Sequence, residues 1–132
     1  MIVIMEELKW EYMDINKILE IAPAKISEYC EAENNYYALM LRKHEEYKRE
    51  RARKYLVSKV QGETIKDLEY KLDCDDELSK IKNAEISAEI EYRNQRMKKE
   101  KAKDIFQSAL ELGRTARQEL RSLHDTISTK ED

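Results

Sequence analysis

Apolar residues recur along most of this chain at steps of three and four, the spacing of one face of an α-helix. In residues 6–20, Leu8, Tyr12, Ile15, Ile18 and Leu19 place an apolar stripe on a short helix. Pro23 restricts Ala22 and suits the first turn of a new helix, so 1–22 reads as an N-terminal segment and 23–60 as a long helix. Along that helix Ile26, Tyr29, Tyr36 or Tyr37, Met40, Tyr47 and Leu56 recur, with His44 and Arg51 on or near the same stripe. No breaker intervenes, so the helix extends about 36 residues, roughly 54 Å. An unbroken helix of that length needs a partner.

Gln61-Gly62 stops it, with Gly62 placed as a C-cap where positive φ costs nothing. Thr64 caps a short helix in the connector 61–75, and Asp67 completes a shorter-armed capping box. Leu68, Tyr70 and Leu72 are expected to fold back on the helix ends. Asp73-Cys74-Asp75-Asp76 makes the next turn, where an aspartate suits a helix N-terminus. The last helix then covers 76–128. Its second half carries a heptad seam of Ala102, Phe106, Ala109, Gly113, Ala116, Leu120, Leu123 and Ile127. Ile81, Glu85, Ala88, Tyr92, Gln95 and Lys99 continue that register upstream with fewer apolar residues. Gly113 inside a helix costs about 1 kcal/mol relative to alanine, which predicts a packing reason for it.

Two long helices around one connector predict an all-α fold: a long antiparallel helical hairpin, a coiled coil, with a short N-terminal helix. A turn near residue 68 makes position i face roughly position 136 − i. A two-helix seam buries little, and homo-oligomerisation supplies the missing burial.

Composition agrees. Charged residues make up 40 % of the 132 positions, with 2 glycines and 1 proline, which is helix composition. An apolar fraction of 41 % and 8 tyrosines argue against disorder. The length predicts one domain. No run approaches 18 apolar residues, so no membrane span is expected, and Met1–Met5 is too short and lacks a basic leader for a signal peptide. Cys30 and Cys74 stand apart, without metal spacing, and read as reduced thiols of an intracellular protein.

Charge adds a second layer. Residues 1–41 hold 8 acids and 3 bases, 42–60 hold 3 and 8, 61–91 hold 10 and 4, and 92–121 hold 4 and 9. A net charge of −3 thus contains two basic blocks. In the hairpin each basic block faces an acidic one, so the pattern specifies antiparallel register at a few tenths of a kcal/mol per exposed pair.

The basic run Arg42–Lys59 encircles its helix, so some of it points away from the partner. Lys48, Arg49, Arg51, Arg53, Lys54 and Lys59 are the candidates for phosphates, with tyrosines between them able to stack bases of single-stranded DNA. The plainer reading is a solvated flank, and Arg93–Lys103 carries the same two readings. Arg114, Arg117 and Arg121 share one face, suited either to acids of another subunit or to phosphates. Ala102, Phe106, Ala109, Gly113, Ala116, Leu120 and Leu123 are the packing and oligomerisation candidates. Asp73, Asp75, Asp76 and Glu77 lack the glycine and length of a calcium loop and read as a cap. His44 and His124 fit no zinc or catalytic pattern, no Gly-rich phosphate loop occurs, and a two-helix hairpin offers no concave pocket. No catalytic residue, cofactor or metal is expected.

The stretch Ala32-Glu33-Asn34-Asn35-Tyr36-Tyr37-Ala38-Leu39-Met40, running into Ala52-Arg53-Lys54-Tyr55-Leu56, resembles the UvsY-like phage recombination mediators. More loosely, the chain resembles helical-hairpin proteins of phage recombination modules. The resemblance covers about residues 15–125 and lies in pattern more than in a specific motif. It implies a homo-oligomer that binds single-stranded DNA and helps load a RecA-like recombinase past single-strand-binding protein, in the cytoplasm of a host cell. The family's basic patch matches Arg51, Arg53 and Lys54; the chain's net acidity departs from the pattern. The competing function is a coiled-coil protein-interaction module, such as a scaffold, an adaptor or a phage inhibitor of a host protein, without nucleic-acid binding.

Overall fold

The computed structural model describes residues 9–131, with side chains described as far as Ile127. Among these residues the fold is all-α: a 3₁₀ turn at Trp10–Tyr12, then α1 (Ile15–Val60), α2 (Ile65–Asp73) and α3 (Asp76–Glu131). No described helix is long and apolar enough to cross a membrane. The expected helix over 6–20 lies partly outside the described residues; within them, a 3₁₀ turn stands where its first turns were placed.

α1 starts earlier than the sequence suggested. The Asp14 carboxylate accepts the Lys17 N–H at 2.8 Å, as an N-cap does. Pro23 lies inside the helix instead of opening it. Its fixed φ is helical, so the loss is one hydrogen bond, to the Leu19 carbonyl, plus ring crowding. The Asp14 cap upstream and the fully buried Ala22 beside the proline favour continuation.

The end of α1 forms as expected. Gly62 adopts φ of 81°, its N–H reaches the Lys59 carbonyl at 3.1 Å, and the Glu63 N–H reaches Ser58 at 3.5 Å. These two bonds are the Schellman pattern that satisfies the last carbonyls of a helix. Thr64 caps α2: its hydroxyl accepts the Asp67 N–H at 3.4 Å and donates to the Asp67 carboxylate at 2.9 Å. Asp75 caps α3 by accepting the Leu78 N–H at 2.9 Å.

The chain divides into two compact units, one of residues 29–97 and one of 1–28 with 98–132. In the first unit α1 and α3 run antiparallel. Tyr37 meets Tyr92 with ring centroids 5.3 Å apart, His44 meets Glu85 at 2.8 Å, and the Lys82 ammonium sits 5.2 Å over the Tyr47 ring. Lys54 meets Asp75 at 2.8 Å. In each pair position i faces position 129 − i, so the register expected from a turn at residue 68 is displaced by seven residues. A shift of one heptad keeps every seam residue facing inward while changing each partner. The stagger leaves the last two turns of α1 beyond the start of α3, and α2 packs there: Leu72 shares a cleft with Val57 and Ser58. Leu68, Leu72 and Leu78 are buried, and Leu68 and Leu78 are the largest fully buried side chains among the described residues. Tyr70, expected to join them, is exposed. Leu56 also departs from its expected stripe and is exposed; Lys54 and Ser58 are turned further inward.

In the second unit the buried side chains are Trp10, Ala22, Ala102 and Ala109, with Phe106 and Gly113 half-buried. Past Gly113 the α3 seam opens: Ala116 is exposed, as are Leu120 at 67 %, Leu123 at 59 % and Ile127 at 54 %.

Candidate nucleic-acid interface

The six basic candidates of α1 do not form one surface. Lys54 is turned inward, with its side chain 19 % exposed, and its ammonium donates to both oxygens of Asp75 and to Glu77 at 2.8–2.9 Å. Those hydrogen bonds raise the lysine's pKa above its ordinary range and, with the Leu78 N–H, hold the Asp75 carboxyl below its own. Arg53 donates through Nε and an Nη to one Glu50 oxygen at 3.2 and 2.9 Å. That hydrogen bond raises its pKa further. Arg51 lies 3.6 Å from Asp73, and Lys48 lies 3.9 Å from Glu45. Arg49 and Lys59 are exposed, with no described carboxylate within the 4.0 Å of an ion pair.

Geometry separates the six as well. Lys48 and Arg51 line a cleft of about 450 Å³ with Ala52, Tyr55 and Leu56. Arg49 lines another of about 430 Å³ with Leu41, Arg42, Glu45 and Glu46. Arg53 and Lys54 face the α2 side, among Lys71, Asp75 and Glu77. Of the two tyrosines inside the basic run, Tyr47 packs under Lys82, whereas Tyr55 lines the cleft with Lys48 and Arg51.

The packing candidates of α3 also separate. Ala102 and Ala109 are buried and Phe106 half-buried, whereas Ala116, Leu120 and Leu123 are exposed. Gly113 has no packing reason among its described neighbours. An added Cβ there would meet one atom within 4 Å, an Arg117 nitrogen at 3.9 Å.

One basic group behaves differently. Arg114, Arg117 and Arg121 line a shallow cleft of about 280 Å³ with Gln118. The Arg117 Nε donates to the Gly113 carbonyl at 3.2 Å. None of the three has a described carboxylate within ion-pair distance. Their spacing in the sequence marked the face, and the charge blocks marked the pairing of basic residues with acids; what the sequence did not mark is that this α3 group stays outside that pairing.

The acidic turn acts as a cap and a lysine clamp through Asp75 and Glu77. Among the described residues no group of three His, Cys, Asp or Glu side chains is placed to hold a metal ion. No protein-family model matches this chain, and no curated protein or solved structure is significantly similar to it.

Proposed function

We propose that this chain is a non-catalytic, intracellular protein-interaction module: a coiled-coil hairpin whose open seam is completed by further helices, first of all those of other copies. The observation that carries the reading is the α3 seam. Its heptad spacing continues unbroken from Ala102 to Ile127, yet Leu120, Leu123 and Ile127 stand more than half exposed. Such a stripe marks a helix–helix contact surface. Light scattering behind size exclusion tests the proposal on the full chain. The expected result is an oligomer that dissociates in Leu120→Ser/Leu123→Ser. A wild-type monomer at about 100 μM that the variant leaves unchanged contradicts it.

A second reading is a single-stranded-DNA-binding recombination mediator. It is favoured by Arg49 and Lys59, which keep exposed charge, and by the cleft where Lys48 and Arg51 flank Tyr55. In this reading several copies repeat one modest patch, which binds through effective concentration and hands single-stranded DNA to a recombinase in place of single-strand-binding protein. Gel-shift titration with a labelled single-stranded oligonucleotide tests it. Arg49→Glu/Lys59→Glu is the informative variant, because reversing Lys54 would disrupt the helix pairing as well. Absence of binding by wild-type protein at low salt excludes the reading.

A further inference from the structure

Arg114, Arg117 and Arg121 follow one another on α3 at steps of three and four residues. At 1.5 Å per residue the strip is about 10.5 Å long. It differs from most of the α1 run in being uncompensated: Lys54, Arg53, Arg51 and Lys48 lie against acids, with Arg49 and Lys59 the exceptions, while none of these three has an acid in ion-pair range among the described residues. It differs from the seam in direction. On a regular helix the three arginines lie roughly 90–150° around from the line through Ala116, Leu120, Leu123 and Ile127. A helix packed on the seam therefore leaves the strip facing solvent.

The chemistry of the strip narrows its ligand. Guanidinium groups present planar forks that match phosphate oxygens, and they stay charged at any physiological pH. A nucleic-acid strand carries one phosphate per 3.4 Å of duplex axis, so the strip spans about three phosphates. The cleft is lined by Arg114, Arg117, Gln118 and Arg121, with no aromatic or aliphatic side chain. It thus lacks a base-stacking platform, and the exposed apolar Leu120 and Leu123 lie on another face of the helix.

We infer that Arg114, Arg117 and Arg121 form a sequence-independent binding strip for the phosphodiester backbone of a nucleic acid. The inference shares its ligand class with the second reading above but not its site, and it is independent of the seam. Three phosphate contacts set the expected salt dependence: a slope of log K against log[salt] of about −2 for a single strand.

Fluorescence anisotropy with a labelled 20-residue oligothymidine, titrated with the full chain between 25 and 200 mM salt, tests the strip. In Arg114→Gln/Arg117→Gln/Arg121→Gln the affinity at 50 mM salt is expected to fall at least tenfold, and the salt slope to flatten by about 2. Circular dichroism verifies that the helices remain. Arg49→Gln/Lys59→Gln is expected to retain most of the binding; if it abolishes binding while the triple variant is unaffected, the site is on α1 and the strip is refuted. Failure of wild-type protein to bind the oligonucleotide at 25 mM salt also refutes it. Cosedimentation with phosphatidylserine–phosphatidylcholine vesicles, without oligonucleotide binding, would assign the strip to an anionic membrane surface and overturn the inference. Light scattering on the same samples reports the seam separately.

Discussion

The α1 basic run and the α3 arginine strip draw on the same residue types but differ in how much of their charge carboxylates hold. In α1, Lys54 is pulled inward by Asp75 and Glu77, and Arg53 is held by Glu50 in its own helix. In α3, Arg114, Arg117 and Arg121 keep their charge, with Arg117 touching a backbone carbonyl instead of an acid. Charge density in the sequence therefore did not locate free charge. What decides is whether acids lie within reach, across the helix pair or one turn away.

Leu78→Ala removes one of the two largest fully buried side chains from the end where Lys54 is held. It is expected to cost about 2–5 kcal/mol in urea unfolding, whereas Leu120→Ala on the open seam leaves the stability of a monomer within about 0.5 kcal/mol. Gly113→Ala next to the arginines should stabilise the protein by about 1 kcal/mol, since the new Cβ meets only the tip of Arg117 at 3.9 Å. A loss of stability would reveal a packing role for the glycine.

Neutralising the two basic groups should separate them. Lys54→Met leaves Asp75 and Glu77 without their cation and is expected to lower the thermal midpoint. The arginine triple variant should shift it negligibly, within about 0.5 kcal/mol. Acid gives the smallest effect. The Asp75 carboxyl is held below its unfolded pKa of about 4, so its contribution is complete above pH 4 and disappears as pH falls through the lowered value. Lys54 is raised above about 10.4, so its contribution is complete below that pH and lost only in stronger alkali. Between about pH 5 and 9 the clamp should add no pH dependence. A thermal midpoint that Lys54→Met changes most steeply near pH 7 would contradict this account.

Much of the fold was legible. Gly62, Thr64 and Asp75 take the stop and start positions their chemistry indicates, and Ala88, Ala102 and Ala109 of the expected seam are buried. Two larger features were not legible. Pro23 read as a boundary, because proline disfavours a helix interior, but the Asp14 cap and continued burial override that preference. Register was the other. A heptad pattern is unchanged by a seven-residue slide, so apolar spacing left the alignment open, and a connector assumed symmetric placed Lys54 opposite residue 82 instead of Asp75. The folding back of α2, with Leu68 and Leu72 buried, required the stagger. The same slide explains the candidate site: Lys54, marked for phosphate, became the residue that carboxylates bind.

Asp75 serves two partners at once. One carboxylate caps the first turn of α3 and holds the lysine opposite. The starting point of the helix and its alignment are therefore written at a single address. A chain that begins α3 one residue early or late loses its lysine contact in the same event, so two kinds of misfolding merge into one. Proofreading of this kind needs no additional residue, and Asp75→Asn, which keeps a capping oxygen but gives up the charge, would uncouple the two.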